Sequence, residues 1–195
     1  MHTLKALNAA PLEEFANVLD GVFEHAPMIA IRVAPQRPFA TVTALHDAMM
    51  AIVRTMSPDG VLAFLNVHPP LSPKALADPL LAAASRVEQG DVGLGGLGAE
   101  LPRFEAATAA YQERFGFPFI VCARRLTPPF VFRALERRSS NTEHQELEAA
   151  LTEDGSITRF RLMDRGTRRG IPQTTGPPYP PVLCPAPGHA PTRRR

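Results

Sequence analysis

The sequence predicts an all-α protein: a single-domain helical bundle with one extended segment near 117–123 and a disordered C-terminal tail. Three observations lead there. Apolar residues recur at helical spacing through most of the first 164 positions. Prolines and glycines cut that pattern into pieces of one helix each. One stretch alone, Phe117-Pro118-Phe119-Ile120-Val121, reads as extended and buried, and nothing near it reads as a strand that could pair with it.

The elements follow in order. Leu12, Phe15, Leu19, Val22 and Phe23 share a helical face, with Pro11 suited to the first turn. Pro27, Pro35 and Pro38 forbid a long helix across 26–40. Thr43 is the expected cap of a helix whose apolar face is Leu45, Met49, Ile52, Val53 and Met56. Ser57-Pro58 starts another, which must stop near His68 because Pro69 and Pro70 follow. Pro79 opens a helix through Leu80, Leu81, Ala84 and Val87, broken by the glycines from Gly90 to Gly98. Phe104, Thr108, Tyr111 and Phe115 mark the next, closed by Gly116. Pro129 begins one that ends near Arg138. Thr142 with Gln145 three residues on is a capping box, and the last helix is expected to reach about Met163.

Composition bounds the class. The 195 residues suffice for one domain with a core, and 45% hydrophobic residues fit a soluble globular chain. No N-terminal apolar run is long enough for a secretory signal, and none approaches the roughly 18 residues needed to span a bilayer. Cys122 and Cys184 make no disulfide framework, so the expected setting is a reducing one, the cytoplasm, with no membrane partner. The net charge of +2 is uneven. Residues 165–195 hold six arginines, eight prolines and no acid, which leaves 15 basic and 19 acidic side chains, a net of −4, in the rest. The expected division is a helical domain over 1–165 and a Pro/Arg-rich disordered tail over 166–195. The tail lacks aromatic residues interleaved with its arginines, and the basic residues are not spread over a folded face, so no nucleic-acid partner is expected.

A lone extended run in a helical protein raises a question of backbone satisfaction. Its buried N–H and C=O groups have no ladder to join and must find other partners. Side chains or water can supply them, or a polar ligand can use the backbone as a template. Elsewhere, His68 in "NVHPP" sits at a helix end before two stiffening prolines, and its pKa near neutrality suits a proton donor. An ordinary half-buried histidine is the alternative. Ser85, Glu88 and Gln89 lie within about one helical turn and combine a hydroxyl, a carboxylate and a carboxamide; a solvated helix end is the alternative. Arg161 falls about 80° and 40° from Leu151 and Leu147 around the last helix, so it faces the apolar side and needs a partner, a protein carboxylate or a ligand anion. That phase holds only if Asp154-Gly155 does not break the helix. The histidines form no close-spaced ligand set, so no metal is expected. The glycines of "GLGGLG" do not lie between a strand and a helix, which argues against a dinucleotide fold.

Several stretches together resemble a known family. Arg37-Pro38-Phe39, "HPPL" at His68–Leu71, "SRVEQGDVGL" at Ser85–Leu94, "YQERFGFPFIVCAR" at Tyr111–Arg124 and "RFRL" at Arg159–Leu162 are similar, in order and spacing, to the 2-oxo-4-hydroxy-4-carboxy-5-ureidoimidazoline (OHCU) decarboxylases, across residues 4 to 164. The resemblance implies a cofactor-free carboxy-lyase that makes (S)-allantoin in urate breakdown, an all-α domain and a homodimer without metal. It also implies catalytic roles for His68 and Glu88. Pro69, Ser85, Gln89, Arg161 and the backbone of Phe119, Ile120, Val121, Cys122 and Ala123 would hold the substrate. The chain departs from the usual pattern at Pro70, where an aspartate is common, at Met28, at Thr108 and at Asp154-Gly155. The alternative reading is a non-catalytic helical binding or interaction module that keeps the fold.

Overall fold

The computed structural model describes residues 3–23, 26–71, 94–122, 124 and 126–169. Among these residues every regular element is helical and no strand occurs. The helices are α1 (Leu4–Ala9), α2 (Leu12–Leu19), α3 (Met28–Val33), α4 (Val42–Arg54), α5 (Pro58–Leu65), α6 (Leu101–Phe115), α7 (Pro128–Arg138) and α8 (Glu143–Arg169), with 3-10 turns at Ala34–Gln36 and Leu94–Glu100. The helix expected from Pro79 lies outside the described residues.

The N-terminal third is a compact corner of short helices. Pro11 stands at the N-cap of α2 instead of inside it, and α2 buries Phe15, Val18 and Leu19. Its apolar pattern continues past the helix, because Gly21 takes φ 71° and folds Val22 and Phe23 inward through a turn. The proline-rich 26–40 stretch contains no long helix, yet it holds the six-residue α3, which the proline spacing had concealed. The "RPF" stretch fastens this corner. Arg37 donates through Nη1 to the Ala10 carbonyl at 2.6 Å and lies over the Phe15 ring, while Asn8 and the Phe39 backbone exchange two hydrogen bonds of 2.9 Å.

Helix α4 begins two residues earlier than expected. Thr41, not Thr43, caps it by accepting from the Ala44 N–H at 3.0 Å. Thr41 is the residue with extended backbone (φ −140°), which points its hydroxyl back at the first turn. Ser57 caps α5 as predicted, and the chain turns by 118° between the two helices. Gly116 closes α6 in the left-handed region (φ 77°), and α7 runs between the expected ends. The capping box forms in both directions: Thr142 N–H to Gln145 Oε1 at 2.9 Å, and Gln145 N–H to Thr142 Oγ1 at 3.3 Å.

Helix α8 is the long strut of the fold and does not stop at Met163. It continues to Arg169, across the expected tail boundary at 165/166, because the first proline beyond Met163 is Pro172. It is also continuous through Asp154-Gly155. The glycine has a packing reason: a Cβ at Gly155 would stand 3.3 Å from Met50 Cε, so its absence lets α4 lie close against α8.

Candidate active site

His68 follows α5 by three residues. Its N–H caps the helix end on the Leu65 carbonyl at 3.2 Å, and Pro69 and Pro70 fix the chain beyond it. Its ring stands edge-on to Phe64 with centroids 6.0 Å apart, and the residue is 8% exposed. The Nε2 atom lies 3.0 Å from Oδ1 of Asp154, a residue of α8 with no exposure at all. Asp154 was expected as a weak point in a helix. Instead it is the partner of the histidine. The signal was present in the sequence: Asp154 is seven residues from both Leu147 and Arg161, so all three lie within about 20° of one line on the helix. The phase test that turned Arg161 inward applies equally to Asp154.

The same turn of α8 is fixed from behind. Thr158 donates its hydroxyl to the Asp154 carbonyl at 2.9 Å, and His46 Nε2 of α4 lies 3.0 Å from that hydroxyl. Burial pulls the His46 pKa below its usual 6.5, with Arg159 adding to the effect against Asp47 and Asp154. His46 is therefore neutral near pH 7, with its ring within hydrogen-bond reach of the Thr158 hydroxyl. In the sequence, His46 stands out only as a member of the failed metal set, and His68 as a proton donor. Among the described residues, no three His, Cys, Asp or Glu side chains gather in a metal-holding group.

The extended run occupies Phe117–Cys122, and its side chains are all buried. Phe117 and Phe119, two residues apart, both stand edge-on to Tyr111 of α6, at 6.0 and 5.3 Å. The run's backbone is held by side chains at three points. Asn66 Nδ2 donates to the Gly116 carbonyl at 2.8 Å. Arg138 Nη1 donates to the Ile120 carbonyl at 2.7 Å and covers the Phe119 ring. Glu153 Oε2 accepts from the Cys122 N–H at 2.8 Å. The satisfaction question thus has a partial answer: the protein itself takes the Ile120 carbonyl and the Cys122 amide.

These contacts bring the candidate residues together. Asn66 and His68 belong to one short segment. Asn66 ties it to the start of the run, and the neighbours Glu153 and Asp154 tie the run's end and His68 to one turn of α8. Arg161 lies on the Asp154 face about 10 Å further along the helix and is 6% exposed. Pro69 is next to His68, and Phe119, Ile120, Val121 and Cys122 form the run. Ser85, Glu88, Gln89 and Ala123 lie outside the described residues. Sequence reasoning missed Asn66, Glu153, Asp154, Thr158 and the structural use of His46.

Behind the run sits a second buried polar group. Glu146 of α8 accepts from Tyr111 Oη, from Arg138 Nε at 2.8 Å and Nη2 at 2.5 Å, and from Asn141 Nδ2 at 2.7 Å. Burial, and then the bond to Glu146, pushes the Tyr111 phenol well above its usual pKa, so it stays a donor.

Comparison with known proteins identifies the family. The family model described as OHCU decarboxylase matches residues 8–163. A 2-oxo-4-hydroxy-4-carboxy-5-ureidoimidazoline decarboxylase of Haloferax volcanii is 32% identical over 84% of this chain and 95% of its own length. One from Bos taurus is 36% identical over 82% and 94%. The crystal structure of an (S)-allantoin synthase superposes with a TM-score of 0.67 at 30% identity, covering 84% of this chain and 54% of that one, so this chain spans about half of that protein. With its helical domain matched nearly end to end, the chain belongs to the OHCU decarboxylase family.

Proposed function

We propose that this protein decarboxylates 2-oxo-4-hydroxy-4-carboxy-5-ureidoimidazoline to (S)-allantoin in urate breakdown, as a homodimer in the cytoplasm and without metal or organic cofactor. The observation that supports the site is the convergence of His68 and the end of the extended run on a single turn of α8, with Asn66 tying the His68 segment to the run's start. The substrate carries its carboxylate on a ring carbon beside a ring C=N. When the bond to carbon dioxide breaks, the electron pair moves into that C=N, so the substrate is its own electron sink. What remains for the protein is to hold the ring, stabilise the charge that develops and return one proton to one face.

His68 is the proton donor. Glu88, with Ser85 and Gln89, supplies polar groups around the ring. Pro69 and the main chain of the run, from Phe119 through Ile120, Val121 and Cys122 to Ala123, form the template for a ring rich in amide-like groups. Arg161 offers a guanidinium fork to a carboxylate or imide oxygen. The test uses freshly generated substrate and follows allantoin by circular dichroism. The purified protein is expected to speed formation of one enantiomer. A racemic product at the uncatalysed rate rejects the enzyme in favour of a binding module that kept the fold.

A further inference from the structure

Asp154 has no solvent exposure, and it sits on the face of α8 that also carries Leu147 and Leu151. An apolar residue is the ordinary occupant of such a position, because an ionised carboxylate there loses its hydration. One oxygen of Asp154 faces His68 Nε2 at 3.0 Å, and the other has no hydrogen-bond partner among the described residues. The backbone around it is held unusually firmly. Its carbonyl takes the Thr158 hydroxyl, which His46 of α4 holds in turn, and Gly155 lets Met50 of α4 close onto the same turn. A carboxylate so placed, with one ring nitrogen as its only described side-chain partner, is arranged for that ring.

We propose that Asp154 is the positioning residue for His68: it accepts a hydrogen bond from Nε2–H, fixes the ring plane and selects the tautomer. This rests on the reading of His68 as proton donor. The proton balance is explicit. As an imidazolium the ring carries N–H on both nitrogens. It keeps the proton on Nε2, facing Asp154, and passes the one on Nδ1 to the ureido-bearing ring carbon; the hydroxyl proton moves to the former imine nitrogen, and the carbon that lost carbon dioxide becomes a carbonyl. The neutral ring that results is the Nε2–H tautomer, the form that Asp154 stabilises, and solvent returns a proton to Nδ1 before the next turnover. Asp154 touches neither substrate nor the reacting atoms. It acts through the imidazole, as the buried aspartate of a serine-protease triad acts through its histidine.

The experiment has two arms on the full chain. In the first, the protein is labelled with 15N at histidine, and the ring signals are assigned by loss in His68→Gln. At a pH where the ring is neutral, Nε2 is expected to carry the proton. A neutral His68 protonated on Nδ1 overturns the proposal, and this measurement needs neither a folded Asp154 variant nor any activity. In the second, Asp154→Asn keeps the shape and removes the charge. It is expected to lower kcat by about 10²-fold, the lower part of the range for a positioned proton donor, with KM little changed. The amide can also donate to Nε2, so the ring signals should shift toward the Nδ1–H form, and Asp154→Glu should recover part of kcat. Wild-type kcat in Asp154→Asn with His68→Ala inactive overturns the positioning role. A wild-type protein without turnover would reject the decarboxylase reading, and the first arm would still decide whether Asp154 sets the tautomer of His68.

Discussion

Glu146 and Asp154 are two carboxylates of the same helix, about 12 Å apart along its axis, and both are withdrawn completely from solvent. Their surroundings differ in kind. Glu146 is surrounded by donors: a phenol, both faces of an arginine fork and an amide use its two oxygens. Its charge is matched permanently by Arg138, whose remaining nitrogen holds the Ile120 carbonyl of the extended run. Asp154 meets one imidazole with one oxygen, and that partner carries charge only when protonated. A buried charge in a saturated network gives rigidity, and removing a member leaves the others stranded. A buried charge paired to a titratable ring leaves the pair's proton exchangeable. The first arrangement fits a support for the run, the second a working site.

The contrast can be broken by experiment. The largest effect is expected at His68. His68→Ala should reduce turnover by about 10²–10⁴-fold while far-UV circular dichroism stays native, since a positioned acid contributes on that scale. Full turnover in the variant would remove His68 from the chemistry. Glu146→Ala should do the reverse. It strands a buried guanidinium and a phenol, so denaturant unfolding should show a loss of about 3–5 kcal/mol, with turnover surviving where the variant remains folded. An unchanged unfolding midpoint would mean that the network does not support the fold. The smallest effect concerns His46. Its pKa in the folded protein lies below the unfolded 6.5, so between those values the unfolded chain binds more protons. The stabilisation is complete above pH 6.5 and is lost as pH falls through the lowered folded value. His46→Gln keeps a hydrogen-bonding group for Thr158 without titrating, and its melting temperature should depend less on pH below 6.5 than that of the wild type. Parallel pH profiles for the two would show that His46 is not a buried neutral histidine.

Much of the architecture was readable from short-range chemistry. Ser57-Pro58 starts α5, Gly116 ends α6, and Thr142 with Gln145 opens α8, each because the cap is a bond between residues at most four apart. The inward phase of Arg161 was readable for the same reason, since periodicity needs only one helix. The errors are local as well. Thr41 and Thr43 are chemically alike, and only the extended backbone at Thr41 separates them. The glycine at 155 resembled a breaker because the sequence does not show Met50 lying against it.

The pairings that make the site are of another kind. His68 meets Asp154 across 86 positions, His46 meets Thr158 across 112, and Cys122 meets Glu153 across 31. By itself the sequence determined most of the described helices, though not the short α1 and α3, where most of them begin and end, and that one buried run lay outside the pattern. Those outcomes follow from interactions within a few residues, which composition and spacing encode directly. Tertiary structure alone decided that the suspected weak point of the last helix is the histidine's partner and that side chains of α7 and α8 hold the run's backbone. Such contacts arise only when α4, α5 and α8 pack together, and the identity of a buried charge's partner depends on that packing rather than on anything near it in the chain.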